Sequence, residues 1–247
     1  MDDPIPAATL VLVRDDPAGG APHLLMIERA ATMAFAAGAM VFPGGRIDPG
    51  DQALVPADHA DPADAAARIA AIRETIEEVG IAIGFDVEPA LLKQLRTALH
   101  DGASFGGLLA AHGLTLDLDA LLPFARWCPA FPEARNFDTR FYLARAPDHA
   151  AAEADGGESV HAVWATAQAI LDDADAGRRH IIFPTRRNLE RLAAYPDFRS
   201  LAEHARAIPV TRIVPAIVEE ADERWLTIPE GLGYPVTRQR AEDALRR

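Results

Sequence analysis

Two apolar runs open the chain, AATLVLVRD at residues 7–15 and PHLLMIERA at 22–30, with the turn-forming DPAGGA between them. Runs rich in Leu, Val and Ile and bounded by Gly and Pro predict strands, so this pair reads as a hairpin. AGAMVFPGG predicts a third strand ending at Pro43-Gly44-Gly45. From Asp61 onward the apolar spacing becomes helical, with Asp61 or Asp64 as N-cap and Gly80 as the stop. Residues 88–122 predict two short helices around the flexible DGASFGG, and strand-like segments follow at 123–128, 137–145 and 159–166. Helical periodicity returns in 166–176, 186–195 and 198–207, before the strand-like VTRIVPAIVEE and RWLTIP. There is no internal repeat. The pattern predicts an α/β (α+β) fold, a mixed sheet with helices on its faces.

The helix expected before Gly80 has two unlike faces. At about 100° per residue, Ile69, Ile72, Ile76 and Val79 form one apolar stripe, and Glu74, Glu77 and Glu78 share a sector of about 100° opposite it. Such a face is either a solvated acidic surface or a cation site. Neighbouring carboxylates repel by about a few tenths of a kcal/mol per pair, and a divalent cation reverses that sign. Carboxylate oxygens with remaining water ligands suit Mg²⁺ or Mn²⁺, which also take substrate phosphate oxygens. Upstream, FPGGRIDPGD supplies two adjacent glycines where a backbone turns sharply and exposes a carbonyl.

Composition narrows the setting. The 247 residues are 49% hydrophobic and 25% charged, which fits one elaborated domain, 1–247, with a sizeable core. With 24 Lys plus Arg against 37 Asp plus Glu, the net charge of −13 disfavours a nucleic-acid polymer as partner. A small polyanion stays compatible if metal ions offset the charge. The single Cys128 cannot form an intramolecular disulfide, no apolar run reaches about 18 residues, and MDDPIPAATL lacks a basic leader. A cytoplasmic protein with no membrane partner is expected. GASFGG lacks the Gly-Lys-Ser/Thr of a phosphate loop, the eight histidines form no zincin pair, and Cys128 reads as a small buried hydrophobe.

Loop and helix together resemble the box of the Nudix hydrolases, which runs Gly, five residues, Glu, seven residues, then Arg-Glu-aliphatic-x-Glu-Glu-x-Gly-aliphatic. Here Gly45 is followed by five residues and Asp51, and the second half is Arg73-Glu74-Thr75-Ile76-Glu77-Glu78-Val79-Gly80-Ile81. Asp51 stands where Glu is usual. The 21 residues of 52–72 replace the family's seven, an insertion of 14 placed at about 52–68 within a box of 45–81. Extra loop length costs little in closure entropy, so an excursion there is expected to spare the site. The resemblance implies an αβα sandwich with helical additions at about 88–122 and 166–207. It implies Glu77 and Glu78 as principal ligands of Mg²⁺ or Mn²⁺, Glu74 as a ligand or as the base activating water, and the Gly44 carbonyl as a further ligand. Arg73 would hold Glu74 by a charge-assisted hydrogen bond. Glu158, in GGESVHAVW, is either a ligand from outside the box or an exposed loop acid.

ERAATMAFAAGAMVFPGG and RWCPAFPEARNFDTRFYLA further resemble the Nudix branch of the kidney-type peroxisomal coenzyme A diphosphatase, whose members also carry an insertion in the box. Arg29-Ala30, Gly38 and Phe42-Pro43-Gly44-Gly45 match the coenzyme A pattern, while Ala34 takes the place of its second Arg. Arg29, Phe42, Arg135 and Arg140 are the candidate substrate contacts; for Arg135 and Arg140 a plain surface role is the alternative. Trp127, Phe137 and Tyr142 either stack on a base or belong to the core. The implied activity is metal-dependent hydrolysis of a nucleoside diphosphate derivative, with coenzyme A or an acyl-coenzyme A foremost. Another such derivative, or a non-catalytic sensor of one, is the alternative. The resemblance leaves room for a homodimer.

Overall fold

The computed structural model describes residues 3–31, 36–129, 136–147, 150, 152–157 and 159–244. The first half contains β1 (Ile5–Arg14), β2 (His23–Arg29), β3 (Met40–Val41), β4 (Gly44–Arg46), α1 (Pro49–Ala53), α2 (Pro62–Val79), α3 (Pro89–His100) and α4 (Phe105–His112). After a 3-10 turn at Leu118–Ala120 come β5 (Leu122–Trp127), β6 (Phe137–Arg145) and β7 (Ser159–Thr166). Then follow α5 (Ala167–Asp175), α6 (Phe183–Leu192), α7 (Phe198–Ala207) and β8 (Arg212–Ile213). The chain closes with β9 (Ala216–Glu220), β10 (Glu223–Thr227), β11 (Arg238–Arg240) and α8 (Ala241–Ala244).

β1 organises a mixed sheet. One edge runs parallel to β6 from Ile5 opposite Phe137 to Val13 opposite Arg145. The other edge is shared: β4 pairs with residues 7–9, and β2 with Val13 and Arg14. β7 lies antiparallel to β2, and β5 joins β6 to β8. Side chains alternate across a strand, so Leu10, Leu12, Leu25 and Ile27 face one apolar layer, with α2, Leu99 and Leu109. Val11, Val13, Leu24 and Met26 face the other, with Ile170, Leu189 and Leu201 of α5, α6 and α7. A strand buried on both faces reads as a continuous apolar run, which is why β1 and β2 stood out in the sequence.

α2 follows its sequence closely. The Asp61 carboxylate caps it by accepting the Asp64 N–H at 3.0 Å, Pro62 opens it, and Gly80 at φ 69° ends it. Ile69, Ile72, Ile76 and Val79 are at most 1% exposed, each contributing about 1.5–3 kcal/mol by burial.

Three expectations change. The third strand divides, because Pro43 has no N–H to donate; β3 pairs with β2, and β4 crosses to β1. The insertion is not a plain loop, since its residues 62–68 are the first turns of α2. They also hold structure together: Asp64 accepts from the Tyr142 hydroxyl at 2.8 Å and Arg140 at 3.1 Å, and Arg68 Nη1 donates to the Leu118 and Leu121 carbonyls. Of the two readings of the strand aromatics, the core holds for Trp127 and Tyr142, each 1% exposed, while Phe137 is half-buried. Finally α1, β11 and α8 were not expected, being too short for a periodic signal.

The three-stranded sheet of β9, β10 and β11 is joined to the second apolar layer through Leu226, Ile228 and Tyr234. The Trp127 indole N–H donates to the Tyr234 hydroxyl at 3.0 Å, which donates to Asn188 Oδ1 at 2.9 Å. Tyr234→Phe leaves both partners buried and unpaired, so it should lower the unfolding free energy by about 1–3 kcal/mol in urea titration. An unchanged midpoint would show that this relay carries no stability.

Candidate functional site

The site is organised by one guanidinium. Arg73, in the middle of α2 and 8% exposed, places its fork on Asp51: Nε to Oδ1 and Nη2 to Oδ2, both at 2.9 Å. Asp51 is 1% exposed. It sits three residues after Asp48, the N-cap of α1, whose N–H donates to Asp51 Oδ2 at 2.8 Å. Arg73 Nη2 also donates to the Arg46 carbonyl at 3.0 Å, tying α2 to the end of β4. That leaves Nη1, which points along the helix to Glu74 Oε1 at 2.9 Å and Glu77 Oε1 at 3.2 Å. Burial alone would lower the Arg73 pKa, but the Asp51 hydrogen bond and the charges of Glu74, Asp51 and Glu77 push it above arginine's ordinary value.

The two glycines each admit a close approach. A Cβ on Gly44 would sit 2.3 Å from the Ala8 carbonyl oxygen and 2.7 Å from Thr9 Cα, so the pairing of β4 with β1 requires glycine there. A Cβ on Gly45 would meet the Glu74 carboxylate at 2.4 Å. The Gly44 N–H donates to Glu78 Oε2 at 2.8 Å and turns that carboxylate toward the loop. Gly44, Gly45, Arg73, Glu74, Glu77 and Glu78 are thus brought together by one helix and one strand.

The other expected residues lie elsewhere. Arg140 pairs with Asp64, ten residues before Glu74, about 15 Å along the helix. Phe42 is 3% exposed and packs in the core with Met26 and Met40. Arg29 ends β2, its N–H donating to Ala39 O at 3.0 Å and its carbonyl accepting from Gly38 at 3.1 Å. Ala34, Arg135 and Glu158 lie outside the described residues. Asp51 was noticed in the sequence only as a departure from Glu. The available signal for its anchoring role was an acid three residues after Asp48, in a helix that Pro49 opens.

The donor set is all oxygen, which suits a hard cation, and Glu77 retains 25% side-chain exposure for it. Among the described residues no three His, Cys, Asp or Glu groups form a ready cation cage. Mg²⁺ requires no such cage, because it binds through one or two carboxylates, waters and substrate phosphates. Burial pushes the Glu74 carboxyl up to about 7; Arg73 opposes this, while Glu77 and Asp51 add to it. A carboxyl whose pKa rises on folding stabilises the fold below its unfolded value, and that contribution fades as pH climbs through the folded value. Without divalent cations, Glu74→Gln should therefore be more stable than the wild type at pH 8, by roughly 1–3 kcal/mol, and the gap should close near pH 4.5. Thermal unfolding at both pH values checks this, and a less stable variant at pH 8 contradicts it.

No family model matches the sequence. The crystal structure of a NUDIX hydrolase from Alicyclobacillus acidocaldarius is similar to the chain at 30% identity and a TM-score of 0.73, covering 82% of this chain and 97% of that one. A curated Caenorhabditis elegans protein, named for nudix hydrolase 7, is 28% identical over 182 residues, or 71% of this chain. The chain spans 57% of that relative's length. The likeness in sequence and structure over nearly the whole Alicyclobacillus protein, together with the loop-and-helix geometry, shows that the chain belongs to the Nudix hydrolase family.

Proposed function

We propose that the protein is a Mg²⁺- or Mn²⁺-dependent pyrophosphohydrolase acting on a nucleoside diphosphate derivative, with coenzyme A or an acyl-coenzyme A as the leading substrate. The observation that carries the reading is the set of carboxylates gathered by Arg73, with Glu74 and Glu77 on one guanidinium nitrogen and Glu78 on the Gly44 N–H. Glu77 and Glu78, with Glu74 and the Gly44 carbonyl beside them, would hold the cation. When bound, it supplies Lewis-acid polarisation and neutralises charge developing on the phosphoryl oxygens.

The chain's own residues do the positioning. Arg73 fixes the side chains of Glu74 and Glu77, so little reorganisation accompanies the reaction. A water attacks one phosphorus of the bridge, the bridging P–O bond breaks, and two phosphate monoesters leave. Glu74, whose carboxyl titrates near neutrality, is suited to accept the water's proton.

The coenzyme A assignment rests on Arg29, Gly38 and Phe42-Pro43-Gly44-Gly45, with Phe42 shaping the loop from within the core and Arg29 as the proposed phosphate contact. Arg135 is a further proposed contact to substrate and Glu158 to metal, while Arg140, engaged with Asp64, is not. Remote binding energy from the pantetheine arm would serve to position the diphosphate. Another nucleoside diphosphate derivative is the second reading, because Ala34 removes one cation of the coenzyme A pattern.

Glu77→Gln and Glu78→Gln should each lower turnover by roughly 10–100-fold or more while leaving thermal unfolding nearly unchanged. Full activity in either variant contradicts the site. With the wild type, kcat/KM for coenzyme A thioesters should exceed that for nucleotide sugars and dinucleoside polyphosphates, giving adenosine 3′,5′-bisphosphate and a phosphopantetheine. A ratio at or below one selects the second reading, and tight binding without turnover selects a sensor.

A further inference from the structure

The last turn of α2 carries Glu77 and Glu78, and a helix end is where a helix ordinarily frays, because its final carbonyls lack intrahelical partners. Here each finds a donor. Gly80 N–H donates to Ile76 O at 3.0 Å and Glu153 N–H to Val79 O at 3.2 Å. The two carbonyls between them, those of Glu77 and Glu78, are taken by one side chain from the next helix. Arg96 of α3 donates from Nε to Glu77 O and from Nη2 to Glu78 O, both at 2.9 Å. The same Nη2 donates to Glu153 O at 2.7 Å, so the guanidinium joins α2, α3 and the 152–157 segment. A Cβ on Gly80 would lie 3.1 Å from Arg96 Nη1, so the glycine that ends the helix also admits the arginine across it.

We infer that Arg96 is a positioning residue for the proposed metal site, a clamp that holds the backbone of Glu77 and Glu78 so that their carboxylates meet the cation already ordered. This rests on the proposed role of those two glutamates. The physical reasons are additive: two carbonyls at a helix C-terminus are satisfied by a charged donor, and a cation there opposes the negative end of the helix dipole. A fork fixes two successive peptide groups, which a single ammonium cannot do. Removing it frees the turn, and the cation must then order what the protein no longer does.

The test is Mn²⁺ binding, followed by calorimetry and by the paramagnetic resonance of the ion, in the full-length wild type, Arg96→Ala, Arg96→Gln, Arg96→Lys and Glu77→Gln. Arg96→Ala should weaken Mn²⁺ binding by roughly 10–100-fold, as for other groups that orient metal ligands. Arg96→Lys should recover part of the loss. In turnover assays the Mg²⁺ concentration for half activation should rise while kcat at saturating Mg²⁺ changes little. A purely structural arginine would lower the thermal midpoint and leave Mn²⁺ affinity unchanged; that result in the folded variants overturns the inference. Should Arg96→Ala not fold, Arg96→Gln decides by the same readout. If the wild type binds no Mn²⁺, or Glu77→Gln binds as tightly as the wild type, the metal-site reading itself fails, a different outcome from unchanged binding in the Arg96 variants alone.

Discussion

The placement of the Glu74 and Glu77 carboxylates depends on a buried guanidinium held by a buried carboxylate. Arg73 and Asp51 are joined by two 2.9 Å hydrogen bonds, with Asp51 completed by the Asp48 N–H and Arg73 by the Arg46 carbonyl. A buried ion pair is weak evidence for stability, since desolvating two charges offsets most of their attraction. Its consequence here is orientation. With Nε and Nη2 occupied, only Nη1 is left to reach Glu74 and Glu77. Repulsion between those carboxylates is thereby held in one geometry and not relieved by their moving apart.

The fold supplies what the pair needs. β1 receives β4 on the edge that β2 leaves uncovered, which places Gly44 and Gly45 beside α2. The Ile stripe fixes the rotation of the helix against the sheet, and the carboxylates then face away from the apolar layer. Gly44 is required by contact with the backbone of β1, and Gly45 leaves room for the Glu74 carboxylate where it stands. The insertion lengthens α2 at the end remote from Glu77 and Glu78, and Asp64 and Arg68 bind that end to β6 and the 3-10 turn. Residues 62–68 of the insertion extend the helix away from Glu77 and Glu78.

Much of this was legible in the sequence. Continuous apolar runs marked β1 and β2, strand-like segments marked β5, β6 and β7, and the 3.6 period marked the helices on both faces, because those elements bury one or two full rows of side chains. Asp61 or Asp64 and Gly80 marked the ends of α2 by local chemistry, and the cap is Asp61. What escaped detection depends on contacts remote in sequence. Asp51 reaches Arg73 across 22 residues and Arg96 reaches Glu77 across 19, and no periodic pattern connects them. The burial of Phe42, between β3 and β4, likewise follows from the layer that the β3–β4 connection faces. Aromatic residues in strands serve cores and ligands alike until that layer is known.

The central claim is that Asp51 and Arg73 act on the carboxylates as one unit. A double-mutant cycle of Asp51→Asn and Arg73→Gln, read as Mn²⁺ affinity of the folded proteins, tests it most directly. If they act as one unit, each single substitution weakens binding and the double variant is little worse than either alone. Losses that add independently, or an Asp51→Asn protein that binds Mn²⁺ as the wild type does, would contradict it.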